Sequence, residues 1–347
     1  MTTRQELGQR FRDSSAGSPW KTFVLEVHAA GQEQGDLLLR EVFGSDQVQS
    51  TEDAFMHAIR IEGADIVVDH LDNRFWSFHS NARVDQILPL LKETIEARRD
   101  LDWMWIPSQH LRNVLPGSRA TWVKSDFRGK RLLPSQARVQ DLEVQLSGSA
   151  ADDVLALIQG EYSEAISFDR VAVNAMDREM GSVQEGVSRQ GRFVARGDSF
   201  EFHQELVSGV VGRYRQLVEM VEARTINWEP LDRGGMAFIG FPIVMQFSRP
   251  IPDRDLFAEQ LFSCREPFRL WGVPRDHDDQ IEVEAVDLHV GQRVRFDIGS
   301  DWLRVYIFEG GCGNTVARLI TNLQHYFDGA LRLLDPALQA ALELSEP

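Results

Sequence analysis

The feature that most limits how this chain can fold is a pattern that returns three times: two short strands of alternating polarity, followed at once by a helix with one apolar stripe. Its clearest copy occupies residues 281–327. There Val294, Phe296 and Ile298 alternate with Arg293, Arg295 and Asp297, and Leu303, Val305 and Ile307 alternate with Trp302, Arg304 and Tyr306. Period two sends one set of side chains to a core and the other to an open face. After Glu309-Gly310-Gly311-Cys312-Gly313 the period lengthens, and Val316, Leu319, Ile320, Leu323 and Phe327 take the offsets of one helix face. A hairpin therefore feeds a helix that packs back on it.

Upstream, segments 66–71 and 75–80 flank Asp72-Asn73-Arg74, and Val84, Ile87, Leu88, Leu91 and Ile95 follow at the same offsets. A third copy pairs 183–188 with 192–195 around Gln190-Gly191 and continues into Val207, Val210, Val211, Tyr214 and Val218. Each hairpin is preceded by an apolar strand (23–27, 142–146, 243–247) and a short helix (35–43, 150–158, 253–262). With strands at 267–271 and 281–289 added in the last copy, the unit reads strand, helix, four strands, helix. Self-similarity of this kind outranks local assignments. The expectation is an α+β protein of three tandem units, antiparallel sheets with helices on one face. The order resembles the TATA-box-binding-protein-like fold. That resemblance is one of topology and implies no functional residue here. The expected partition is a polar arm at 1–22, units at 23–100, 141–230 and 231–330, a basic connector at 101–140 and a C-terminal helix at 331–347.

At 347 residues and 43% apolar content the chain can bury two or three cores. It has no run of about 18 apolar residues for a membrane span, and its polar first twenty residues lack the apolar core of a secretory signal. A cytoplasmic protein is expected. Two cysteines in so long a chain suit free thiols in a reducing compartment. Four lysines against thirty-three arginines point to a GC-rich bacterial genome. The net charge of −16 divides into −1 for 1–140 (19 acids, 18 bases), −8 for 141–230 (16 and 8) and −7 for 231–347 (18 and 11). Such a surface disfavours nucleic acid and anionic lipid and favours solubility or a basic protein partner.

Four segments offer candidate sites. Trp302, Arg304 and Tyr306 share one strand face and are the side chains of interface anchors. Gly311, Cys312, Gly313 and Asn314 form a strand-to-helix corner where helix-start amides could hold an anion or ligand and lower a thiol pKa. A cysteine nucleophile also needs a base, and none of the nine histidines is placed beside it by sequence. Between Trp103 and Val139 lie seven bases and one acid. There Trp122, Lys124, Arg128, Lys130 and Arg131 could contact nucleic acid, or else pair with acidic neighbours. Asp276-His277-Asp278-Asp279 with Glu282, Glu284, Asp287 and His289 offers oxygen-rich ligands. Strand alternation splits that set between two faces, so a solvated hairpin is expected, as it is for Asp69-His70 and Asp72. Phosphate-loop, dinucleotide, nucleophile-elbow and zinc motifs are absent, so no catalytic residue, metal or cofactor is assigned. The expected function is a non-catalytic interaction, scaffold or regulatory subunit of a bacterial multiprotein system. The alternatives are a hydrolase using the Cys312 corner or the 276–289 hairpin, and nucleic-acid binding through 112–138.

Overall fold

A computed structural model describes residues 4–14, 17–28, 32–61, 63–70, 72–230, 234–277 and 279–344. Leu71 of the predicted first hairpin, Ser15 and Ala16 of the arm, and Asp278 of the acidic hairpin lie outside the described residues. The chain is mixed α and β with antiparallel sheets. Its contacts form two compact units instead of three contiguous ones. The first is Met1–Met104 with Val114–Thr121 and Arg170–Val211; the second is Trp105–Asn113 with Trp122–Asp169 and Gly212–Pro347.

In the first unit the sheet order is Val48–Ser50, Met56–Ile61, Ala64–Asp69, Phe75–Ser80, Trp20–Val27, Arg192–Gly197, Gly181–Ser188 and Phe168–Asp177. Trp20–Val27 divides its length: Trp20 to Phe23 pair with Arg192–Gly197, and Leu25 to Val27 with the short strand Leu101–Trp103. One hairpin turn is set by Asp72, whose Oδ1 accepts from the amides of Arg74 and Phe75 at 2.8 and 2.9 Å. The arm is not merely polar. Helix Arg4–Ser14 buries Leu7 and Phe11 against Trp20, Met56, Val67, Val183, Ala195 and Phe200.

In the second unit the order is Leu270–Asp276, Ile281–Asp287, Arg293–Ile298, Trp302–Ile307, Ile243–Gln246 and Arg332–Leu333. Its core joins one sheet face, including Val283, Val294, Phe296, Leu303 and Val305, to Phe257 and Leu261 of helix Arg254–Leu261. Val316, Leu319, Ile320 and Leu323 of helix Gly313–Tyr326 join the same core. The single apolar stripe predicted for that last helix understates it, because every residue from Gly313 to His325 is buried. Its polar side chains are held by neighbours. Thr321 donates to the Trp105 carbonyl at 3.2 Å, and Gln324 accepts from the Ser108 amide at 3.0 Å and donates to Gln109 at 2.8 Å.

The first and last copies share an arrangement: in each, the opening strand lies beside the fifth, giving the order second, third, fourth, fifth, first. The middle copy departs from it. After helix Ala151–Tyr162 only three strands precede helix Phe200–Glu222, and the opening strand Asp141–Ser147 pairs with Ala120–Arg128. The predicted connector therefore holds a strand of its own.

Candidate functional site: the open sheet face of the second unit

Opposite its core face, the second-unit sheet presents two rows that cross the strands. Register places Val273, Glu284, Arg295 and Tyr306 in one row and Arg275, Glu282, Asp297, Arg304 and Val244 in the next. Trp302, Arg304 and Tyr306 are half-buried on this face, as alternation requires. Beneath them Asp297 is buried and accepts from the Tyr306 hydroxyl at 2.7 Å, with Arg295 at 3.3 Å. Burial, with Asp297 beside it, pushes the Tyr306 hydroxyl above its usual pKa. Arg295 also reaches Glu282 at 3.1 Å, and Arg293 reaches Glu284 at 2.8 Å. Arg304 stacks on Trp302 at 4.2 Å and Arg295 on Tyr306 at 5.5 Å, so the aromatics are held by guanidinium planes. Trp271 and Val273, exposed at 50% and 56%, extend the apolar part to the edge strand.

The glycine corner is tied to its own unit. The Gly313 amide donates to Glu222 Oε1 at 2.8 Å, so a carboxylate of the chain already occupies the helix start. A Cβ on Gly313 would lie 2.3 Å from the Val218 carbonyl oxygen, and one on Gly311 would lie 2.3 Å from Ile307. Close approach explains both glycines. Asn314 accepts from the Tyr214 hydroxyl. Cys312 is buried, and a donor atom of buried His289 lies within 4.8 Å of its sulfur, a neighbour that sequence could not supply. The cavity beside Cys312 measures about 10 Å³, lined by Asp287, Ile307, Gly311 and Thr315 among others. That is room for about one water.

Three of the candidate bases, Lys124, Arg128 and Lys130, are ion-paired locally. Arg128 pairs with Asp126 at 2.6 Å and Glu143 at 2.7 Å, Lys124 with Glu143 at 3.7 Å, and Lys130 with Asp141 at 2.6 Å. Trp122 lies on the same hairpin. Arg131 donates to the Glu266 carbonyl at 3.1 Å and stacks over Phe268 and Tyr326, both at 5.3 Å. The acidic hairpin likewise spends Glu282 and Glu284 on arginines and turns Asp287 into the core, where it meets Arg318. Its described carboxylates do not converge.

Two features escaped sequence reasoning. Hairpin Asn227–Pro230 with Met236–Ile239 places Trp228, Pro230 and Met236 on one face, and Trp228 and Phe241 are exposed at 59% and 74%. It is rooted where Ile226 bridges Phe308 at the end of the Trp302–Ile307 strand. In the first unit, His203 joins Glu185 at 2.6 Å and Thr22 at 2.8 Å, and Thr22 joins His79 at 2.9 Å. Hydroxyl, imidazole and carboxylate stand in the order of a catalytic relay. All are buried, and Phe11 stacks on His203 at 5.5 Å.

Fold and site together describe an α+β protein of antiparallel sheets with one arginine-and-aromatic sheet face left open. Residues 3–339 match the MJECL33-like protein family, and the chain belongs to it. A Methanocaldococcus jannaschii protein described as uncharacterized protein MJECL33 is 24% identical over 357 residues, covering 89% of this chain and 84% of its own. That relative is archaeal, so the bacterial origin suggested by the arginine bias gains nothing from it. No solved structure matches. Among the described residues no helix is long and apolar enough to cross a membrane.

Proposed function

We propose that this is a non-catalytic interaction protein that docks a protein partner on the open sheet face of its second unit. The observation that carries this reading is the held row of Trp302, Arg304 and Tyr306, whose rings and guanidinium groups are already fixed in place. Anchors fixed before binding lose less freedom on association. The charges on the face are largely paired within it, so a partner is recognised by apolar and aromatic side chains laid against Trp302, Trp271 and Val273. Trp228 and Met236 on the neighbouring hairpin widen the apolar area. The nucleic-acid alternative is weakened by the paired bases of 124–131, and the hydrolase alternative by the lack of space at Cys312. We read the matching first and last copies, with a degenerate middle one, as TATA-binding-protein-like repeats, which leave a sheet face for binding. The test is capture from the native host with full-length protein and its Trp302→Ala and Tyr306→Ala variants, followed by titration of the purified partner. A loss of about tenfold or more per anchor with unchanged circular dichroism is expected. Equal binding by all three proteins would remove this face from consideration.

A further inference from the structure

The first unit gathers Asp36, His57 and His70 from three elements. Asp36 lies on helix Gln32–Phe43, His57 on strand Met56–Ile61, and His70 directly after strand Ala64–Asp69. Met56 pairs with Asp69 and His57 with Val68, so the two histidines are diagonal neighbours whose rings stand 5.1 Å apart. Nε2 of His57 lies 3.2 Å from Asp36 Oδ1, and Nε2 of His70 lies 4.0 Å from the same oxygen. One donor atom from each residue lies within 4.8 Å of the other two.

The two imidazoles are 2% and 3% exposed, so His70 is a core residue and not part of a solvated turn. Its ring is fixed between Phe55 at 6.1 Å and Trp76 at 5.1 Å. Gly35 allows the helix to lie on that indole, since a Cβ there would come within 2.8 Å of it. Yet His70 Nε2 and His57 Nδ1 are buried without a hydrogen-bond partner, and the nearest partner of Asp36 Oδ1 is His57 Nε2 at 3.2 Å. Buried polar atoms left open in this way call for an explanation, and a bound ion is one.

We propose that Asp36, His57 and His70 form a site for a divalent transition-metal ion of the zinc or ferrous class. Two imidazoles and one carboxylate are the donor set of that class, and three protein ligands leave a position for water or another ligand. Ligands about 2.0–2.1 Å from a tetrahedral ion stand roughly 3.3 Å apart. The His57–Asp36 distance of 3.2 Å already matches, and His70, at 4.0 Å, has to close by about 0.7 Å. Metal ligation needs neutral imidazoles. Burial keeps both rings below the ordinary histidine pKa, opposed at His57 by Asp36 and reinforced at His70 by His57. The Asp36 side chain is 38% exposed and marks the route in from solvent.

The test titrates metal-free, full-length protein with Co2+ alone, read by its visible d–d absorption, and with Zn2+ in competition. Wild type should bind one more equivalent than Asp36→Asn or His57→Gln, with the affinity of that equivalent lowered at least about 100-fold in either variant, beyond the tenfold to 100-fold cost of losing an outer partner. Asp36 is partly exposed, so its variant should fold even if a histidine variant does not, and circular dichroism checks this. Equal stoichiometry and affinity in wild type and folded Asp36→Asn would overturn the proposal. So would failure of the wild-type protein to bind either ion.

Discussion

Two aspartates, one in each unit, make opposite use of buried surroundings. In the second unit Asp287 is saturated: Arg318 and Thr315 both reach its carboxylate, and the His289 amide donates to it at 3.1 Å. Burial drives that carboxyl up, but Arg318, His289 and the hydrogen bonds outweigh it and hold the group below the usual range. Arg318 is itself completed by the Phe268 carbonyl at 3.1 Å. In the first unit Asp36, His57 and His70 converge more loosely, at 3.2 and 4.0 Å, and His57 Nδ1 and His70 Nε2 find no hydrogen-bond partner. A closed network fixes a fold; one with converging donors left unsatisfied keeps capacity to bind a further group.

The largest expected effect comes from breaking the closed network. Arg318→Met preserves much of the apolar volume but leaves Asp287 buried and unpaired, which should cost about 3–5 kcal/mol. Denaturant unfolding measures it. A loss below about 1 kcal/mol would mean that water already reaches Asp287, and the contrast between the two sites would fail.

A second test asks how a partnered histidine behaves. His110, in the second unit, is buried and donates from Nε2 to the Ala341 carbonyl at 3.0 Å. Burial lowers its pKa to about 4, the Ala341 bond opposing and Arg213 adding to the shift. The folded state thus binds its proton less readily than the unfolded chain, whose histidine titrates near 6.5. Stability is therefore intact above about pH 6.5 and falls as the pH drops towards about 4, by about 3 kcal/mol in all. Unfolding midpoints across that window should flatten in His110→Gln. His57 and His70 act in the same direction, and saturating Zn2+ should steepen the acid loss only where Asp36 is intact.

How much of this was legible follows the same division. Alternation in 293–298 and 302–307 gave the strands and the side of the sheet on which Trp302, Arg304 and Tyr306 emerge. Leu323 was legible as core because its stripe is helical. The opposite side of that helix was not, because Thr321 and Gln324 look solvated until Trp105, Ser108 and Gln109 arrive from far along the chain. His57 and His70 read as scattered histidines. Only strand register and the arrival of Asp36 from a helix bring them together, and neither leaves a local pattern. The middle copy misled for a related reason. Its helix offsets repeat faithfully, but pairing of its opening strand was decided by the preceding Ala120–Arg128 segment.

The smallest effect is expected at Cys312, which tests whether the second unit is as closed as its aspartate suggests. Cys312 stands at the N-cap of helix Gly313–Tyr326 and its side chain makes no capping bond to the first turn, so a serine hydroxyl there gains the chance to accept from a first-turn amide. Capping of that kind is worth about 0.5–2 kcal/mol against alanine. Against it stands the cost of placing a hydroxyl in a cavity of about 10 Å³ bordered by Val294 and Ile307. The two terms oppose, and Cys312→Ser should change stability by less than about 1 kcal/mol, a shift of about 2–4 °C at most. Partner binding should be unchanged, because Trp302, Arg304 and Tyr306 emerge on the other side of the sheet. A buried thiol should also react slowly, even with His289 close by. Rapid stoichiometric labelling of Cys312 near neutral pH, with loss of function in the serine variant, would show that the corner opens in solution. The second unit would then hold the reactive site, and the catalytic alternative would replace the docking one.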